Sequence, residues 1–281
     1  MMFFSLEEID RLIKEDVPYI DLTTWSLGIE EQACRISYFT REEAVVCGTE
    51  EVNLIFERLN IETEKLVSSG ATAKPDDVLI SGTGRGKDIN MAWKVGQNIL
   101  DHCSGIATKT KSMVRVVKES NPNVAVFTTR KGFPGTKALS VKAIMAGGAS
   151  PHRLGLSETV LIFKQHISVM GGIDTLLRRM PHIKIECCGK TIIVESNEYE
   201  EAKLLCQAGV DGIQFDKFPV DILKETVSKL RNEFPNVLLF ATGGINEQNA
   251  SVYAETNVDG IVTTDLYNAE PVDIGVRIDQ L

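Results

Sequence analysis

A series of short apolar runs in this sequence each end in side chains able to do chemistry, and the types follow an order. Val124–Phe127 runs into Thr129-Arg130-Lys131, and Val160–Phe163 into Lys164-Gln165-His166, with Pro151-His152-Arg153 shortly before it. Thr191–Val194 ends at Glu195 and Gly212–Phe215 at Asp216; Val237–Phe240 leads to Thr242-Gly243-Gly244 and Gly260–Val262 to Thr263-Thr264. Guanidinium groups fork onto carboxylates or phosphates, each charged hydrogen bond contributing about 1.5–3 kcal/mol. Two carboxylates can hold ribose hydroxyls or a magnesium ion. A glycine pair ahead of a helix, here expected to start near Asn246, offers backbone N–H groups to a phosphate. Basic, then acidic, then small: the order suits a sugar phosphate together with an acidic co-substrate. Taken singly, the same residues have ordinary uses. Arg130-Lys131 could be a solvated pair, His152 a cap on the following turn, and Glu195 and Asp216 acids favoured at helix N-termini; Phe163 and Phe240 could be core.

What makes the order meaningful is the scaffold that would carry it. The apolar runs alternate with helical patterns over Ser140–Ala146, Ile173–Arg179, Glu198–Gln207, Val220–Phe234 and Glu247–Glu255. Short apolar strands separated by helices indicate a parallel sheet with crossover helices, and the number of units favours a barrel over an open sheet. In such a barrel the C-terminal strand ends share one mouth. The first third reads differently. Ser5-Leu6-Glu7-Glu8 is a capping box opening a helix with Leu6, Ile9, Leu12 and Ile13 on one stripe. A polar turn over Asp16–Thr24, β-like segments in 34–46 and 65–80, and helices at Glu50–Leu59 and Asn90–Ser104 follow. The Ser81-Gly-Thr-Gly-Arg-Gly-Lys-Asp88 stretch lacks the phosphate-loop pattern and is expected to be a glycine-rich β-turn.

Composition limits the remaining possibilities. At 281 residues, 43% hydrophobic and 25% charged, the chain can bury a core without disulfides or metals. A net charge of −9 argues against general nucleic-acid binding. The six cysteines form no Cys-x-x-Cys pair and are expected to be reduced thiols, without a zinc site. The N-terminus lacks a basic, apolar leader and the apolar runs are too short to span a bilayer, so a cytoplasmic location with no membrane association is expected.

At these residues the chain resembles the quinolinate phosphoribosyltransferases, the carboxylating nicotinate-nucleotide pyrophosphorylases. The matching pieces are Glu15-Asp16 with Asp21-Leu22-Thr23-Thr24, Ser104-Gly105-Ile106-Ala107-Thr108, Thr129-Arg130-Lys131 with Pro134-Gly135, and Gly147-Gly148 with His152-Arg153-Leu154-Gly155-Leu156. Val194-Glu195, Asp216 and Gly243-Gly244-Ile245 complete the set. Within the family it is most similar to the ModD branch, pyrophosphorylases associated with molybdenum transport genes. The run from Thr129 to Ser140 and the ending Phe163-Lys164-Gln165-His166 carry that closer match.

The resemblance implies an α/β subunit of two domains. An N-terminal α/β sandwich would occupy 1–108, with the tail from about 270 to 281 a candidate to return to it. The open β/α (TIM-like) barrel of type II phosphoribosyltransferases would occupy 109–270. It further implies a homodimer with shared active sites, a hexamer being the alternative, and phosphoribosyl pyrophosphate plus a small acidic acceptor as substrates. Arg130, His152 and Arg153 would bind the acceptor's carboxylates, with Lys131 and Lys164 near the same anions and Lys94 entering from the partner subunit. Glu195 and Asp216 would hold the ribose hydroxyls, and Thr242, Gly243, Gly244, Thr263 and Thr264 the 5′-phosphate end. Glu195, Asp216 and Lys131 are the catalytic candidates. Magnesium (Mg2+) is expected on the pyrophosphate near Glu195 and Asp216, not on a metal site of the protein.

The chain also departs from the family pattern. The family strand ends Lys-Asp-Asn-His, whereas Phe163 stands first here and the lysine comes one residue later, which in a continuing strand would turn it to the other face. Trp93-Lys94 replaces Glu-Arg, keeping a charge but losing the fork. The quinolinate end is thus altered while the ribose acids and the glycine pair persist, which points to an acceptor other than quinolinate. Two alternatives remain: an anion- or nucleotide-binding accessory protein of molybdenum uptake, and an aldolase-like barrel using Lys131 or Lys164 as a Schiff-base lysine.

Overall fold

The computed structural model describes residues 4–281. Its first elements are α1 (Leu6–Asp16), α2 (Leu22–Leu27), β1 (Ala33–Thr40), β2 (Ala44–Val45), α3 (Thr49–Arg58), β3 (Glu62–Leu66), β4 (Thr72–Ala73), β5 (Val78–Arg85) and α4 (Gly86–Ser120). Then come β6 (Ala125–Thr128), α5 (Lys137–Ala146), β7 (Ser150–Pro151), β8 (Val160–Ile162), α6 (Lys164–Met170), α7 (Ile173–Glu186), β9 (Ile192–Ser196) and α8 (Tyr199–Gln207). The chain ends with β10 (Gly212–Asp216), α9 (Val220–Glu233), β11 (Leu238–Thr242), α10 (Ala250–Ala254), β12 (Gly260–Thr263) and β13 (Ile274–Gln280). Packing divides it into two compact units. One comprises the residues up to Lys111, Gly132–Gly148 and Tyr267–Leu281; the other comprises Ser112–Lys131 and Ala149–Leu266.

The first unit is an antiparallel sheet in the order β13-β1-β5-β3 with helices against it. Its core gathers Ile9 and Ile13 of α1, Ile36 and Tyr38 of β1, Val52, Ile55 and Phe56 of α3, and Ile89, Ala92 and Leu100 of α4. The capping box forms: Glu8 N–H donates to Ser5 Oγ, and the Ser5 N–H donates to Glu8 at 2.8 Å. The polar turn expected over 16–24 instead ends in a short helix, α2, because Asp21 caps it by accepting from the Thr23 and Thr24 N–H groups. The glycine-rich stretch from Ser81 is no turn. It is the end of β5 running into α4, and its glycines let backbones approach: a Cβ on Gly82 would lie 2.8 Å from the Glu62 carbonyl oxygen, and one on Gly86 2.2 Å from that of Ile29.

The Ser104-to-Thr108 motif is a packing seam of this unit within α4. Ser104 Oγ accepts from Cys47 N–H, Thr108 Oγ1 accepts from Val45 N–H, and Gly105 admits the Glu270 backbone, whose carbonyl oxygen would sit 2.2 Å from a Cβ there. All six cysteines are free, and no helix among the described residues is long and apolar enough to cross a membrane.

The second unit is a seven-stranded parallel sheet in the order β7-β6-β12-β11-β10-β9-β8. The pairing of β12 with β6 joins the last strand to the first and curls the sheet. Strands β7 and β8 are its two ends, so the barrel is open between them. Side chains of one parity point inward. Leu161, Ile193, Phe240 and Val262, with Phe127 and Phe163 against them, form an apolar layer. Gly260 makes room for it: a Cβ there would come within 2.6 Å of the Phe127 ring.

Candidate functional site

Residues two positions further along these strands sit above that apolar layer. Glu195 follows Ile193, Thr242 follows Phe240, Thr129 follows Phe127, and Asp216 stands two beyond Gln214. They line one cavity of about 270 Å³ with Arg130, Lys131, His152 and Arg153. Leu161, Phe163, Gln214 and Val262 complete its wall. The register places Glu195 beside Gln214 and Asp216 beside Thr242.

The acidic side is compact. Burial, and then the charge of Asp216, push the Glu195 carboxyl above its ordinary pKa; the Gln214 amide, donating at 3.4 Å, and the cations Lys164 and Lys131 pull the other way. Beside Asp216 the chain passes through Lys217 at a φ of +53°, its N–H bonded to the Thr242 carbonyl at 2.8 Å. The Gly243-Gly244 turn follows at φ of +90° and +74°. A Cβ on Gly243 would lie 2.4 Å from Asp216 Oδ1 and 2.5 Å from Lys217 Cγ, so only glycine lets the turn come this close.

The basic side is built from β6 and the chain after β7. Thr129 Oγ1 lies 2.8 Å from Thr264 Oγ1 and accepts from Lys131 N–H at 3.2 Å, which ties the Arg130-Lys131 corner to the end of β12. Burial, and then Arg130, hold the Arg153 guanidinium below its ordinary pKa. The His152 ring stands edge-on to Phe127 and Phe240, with centroids at 6.0 and 5.3 Å. Its Nε2 is buried without a hydrogen-bond partner, and burial, then Arg153, lower its pKa, which favours the uncharged ring.

Several sequence-predicted residues stand elsewhere. Lys164 does not line the cavity, because the strand stops at Ile162 and Lys164 begins α6; strand alternation therefore no longer decides its direction. It is exposed, and with the Asn197 amide turned to face it, Nζ lies 3.2 Å from the amide oxygen. His166 folds back, its Nδ1 accepting from Phe163 N–H at 3.0 Å. Thr263 has the opposite parity to Val262; its hydroxyl donates to the Ile245 carbonyl at 2.6 Å and accepts from Asp265 N–H, pinning the glycine turn. Gly243 abuts the cavity through Asp216, and neither it nor Gly244 lines it.

The helix expected near Asn246 begins only at Ala250, since residues 246–249 close into a turn in which Asn249 Oδ1 takes the Asn246 N–H. Lys94 lies in the first unit, exposed, its Nζ 3.0 Å from Gln97 Oε1 and 4.9 Å from the Trp93 ring centre. Sequence reading passed over Gln214 as a site residue, and counting back two from Asp216 would have found it; Thr129 was noted at its strand end without a binding role.

Comparison with known proteins decides the lineage. The family description "Quinolinate phosphoribosyl transferase, N-terminal domain" matches residues 21–104, and "Quinolinate phosphoribosyl transferase, C-terminal domain" matches residues 106–277. The chain belongs to the quinolinate phosphoribosyltransferase family. Among its relatives, the protein named pyrophosphorylase ModD in Pasteurella multocida is 30% identical over 280 residues, covering 100% of this chain and 99% of the relative. The ModD-named protein of Rhodobacter capsulatus is 35% identical over 240 residues, 85% of this chain and 92% of the relative. Among solved structures, the nicotinate-nucleotide pyrophosphorylase of Ehrlichia chaffeensis superposes with a TM-score of 0.90 at 27% identity, covering 99% of this chain and 100% of that one. An α/β chain with an antiparallel sheet unit and an open parallel barrel is therefore the quinolinate phosphoribosyltransferase fold, as the sequence resemblance implied.

Proposed function

We propose that this chain is a ModD-type pyrophosphorylase, transferring the phosphoribosyl group of phosphoribosyl pyrophosphate to a ring nitrogen of a small aromatic acid. The observation that carries this reading is the shared cavity: two guanidiniums on one side, two carboxylates on the other, a glycine turn abutting the acids. Arg130 and Arg153 grip the acceptor's carboxylate, and the acceptor ring rests on the apolar layer. Asp216 and Glu195 take the ribose hydroxyls. As the C–O bond to pyrophosphate breaks, pyrophosphate keeps the electron pair, and the positive charge left on the ribosyl carbon faces these carboxylates. The ring nitrogen's lone pair closes the new C–N bond. Lys131, close enough to lower the Glu195 pKa, is placed to balance the acidic pair and the leaving group.

Glu195 and Asp216 alone are too few for a dedicated metal cage, and among the described residues no cluster of three ligating side chains occurs. They suit a magnesium ion that brings phosphate oxygens of its own, and such an ion would neutralise the departing pyrophosphate. In this reading the protein is a cytoplasmic homodimer, with Lys94 reaching the partner's cavity. A bare oxyanion such as molybdate would meet the carboxylates beside the arginines, which favours a donor carrying hydroxyls. Lys131 and Lys164 are both exposed and lack the desolvation a Schiff-base lysine needs.

The test is pyrophosphate release from phosphoribosyl pyrophosphate that depends on an aromatic acid. Arg153→Lys, which keeps the charge without the fork, should raise KM for the acid by about tenfold or more, and Asp216→Asn should lower kcat by about a hundredfold. No acid-dependent pyrophosphate release across a panel of such acids refutes the transferase reading.

A further inference from the structure

The cavity's cations are confined to one side. Arg130 and Arg153 are close enough for one charge to disfavour the other, and among the described residues neither forms an ion pair. Lys131 acts on Glu195 instead. The wall contributed by β8, the residue just after it and β12 is apolar: Leu161, Phe163 and Val262. A second cavity of about 410 Å³ runs along β8 and shares Arg130, Arg153, Leu161 and Phe163 with the first, so the Phe163 ring is common to both. His152 also lines the cavity; its buried Nε2 lacks a hydrogen-bond partner, and burial disfavours its charged form.

Resting on the transferase reading above, we propose that Phe163 sets the acceptor class: nitrogen heteroaromatic acids carrying a single carboxylate. That one carboxylate lies between Arg130 and Arg153, and the ring packs against Phe163 and Leu161. A second carboxylate on a neighbouring ring atom would fall against Phe163 or His152, a surface that offers it no cation, so its burial there would be unfavourable. With one carboxylate the transfer needs no decarboxylation. The ring nitrogen's lone pair forms the C–N bond, pyrophosphate departs with the C–O electron pair, and the acid group is retained.

Nicotinate and quinolinate, one carboxylate against two on the same ring, are the probes. Each is titrated calorimetrically into the full chain as wild type, Phe163→Lys and Phe163→Leu, without phosphoribosyl pyrophosphate. Wild type should bind nicotinate at least tenfold more tightly than quinolinate. Phe163→Lys should move that ratio at least tenfold toward quinolinate, and Phe163→Leu should hold it. Equal or tighter quinolinate binding by wild type overturns the proposal, as does binding of neither acid or a ratio that Phe163→Lys leaves in place. Should the lysine variant not fold, the wild-type and leucine ratios decide. Phosphoribosyl pyrophosphate is titrated separately. A chain that prefers nicotinate yet does not bind the donor sinks the transferase reading alone; donor binding with a preference for quinolinate sinks only the acceptor class.

Discussion

Glu195 illustrates how a single side chain trades folding stability for chemistry. Burial and Asp216 raise its pKa, so the folded chain holds the Glu195 proton more tightly than the unfolded chain does. The sign follows from linkage: below the ordinary glutamate value both states are protonated and Glu195 costs nothing, whereas above the raised folded value the carboxylate is a net penalty on folding. Glu195→Gln should therefore raise Tm at neutral pH, and the gain should fade as pH falls below about 4. Thermal melts across that range check it. A variant no more stable than wild type at pH 7 would mean that Glu195 is not held against Asp216 as described. At this scale the sequence was informative about identity and poor on direction. Arg130, Arg153, Glu195 and Asp216 were readable as strand-end residues, and they do meet in one cavity. The hydroxyls of Thr263 and Thr264 looked like ligands and are occupied in tying strand ends and the glycine turn together, a partnership set by neighbours far away in sequence.

At the scale of elements, α5 is tied to α3 within the first unit by a charge cluster. Lys142 Nζ donates to Glu50 at 2.7 Å and also to Glu51, whose side chain is 2% exposed. Burial pushes the Glu50 carboxyl up, but Lys142 and Ser69 outweigh it and bring it to about 2. That stabilisation is present above the ordinary glutamate value of 4.5 and is lost as pH falls towards about 2. Lys142→Met leaves two carboxylates without their cation, one of them buried, and should cost about 3–5 kcal/mol at pH 7. The deficit should shrink at pH 3, where Glu50, no longer held down by Lys142, takes up a proton. Urea unfolding at the two pH values measures both, and a deficit independent of pH would contradict the pairing. Six of the seven barrel strands were legible to within about two residues, as short apolar runs between turn signals; β7, only two residues long, leaves no such run. Helix starts were less so. α6 and α10 are set by where the chain leaves a strand and by side-chain turns such as Asn249 on Asn246, and neither leaves a periodic trace. In α4, which extends to Ser120, the apolar stripe expected to stop at Ser104 continues through residues that pack as a seam.

For the whole molecule, the open question is which surfaces are covered in solution. Tyr19, Ile20, Leu22, Trp25 and Leu27 are all more than half exposed and lie within nine residues around α2. Exposed apolar side chains this close in sequence are candidates for an interface, and a second copy of the chain is the occupant the proposed shared-site dimer requires. Trp25→Glu should then shift the chain towards monomer in sedimentation equilibrium. The catalytic consequence gives the sharper test. If Lys94 of one subunit completes the cavity of the other, Lys94→Ala and Glu195→Gln each disable a different half of the same site. Hybrids of the two variants then contain one site with both defects and one site with neither. Random reassortment makes half of all dimers hybrids, so an equal mixture should recover about a quarter of wild-type pyrophosphate release, although each variant alone is nearly inactive. Cavities that take all their groups from one chain would give no recovery on mixing, and Lys94 would then have to be dropped from the site.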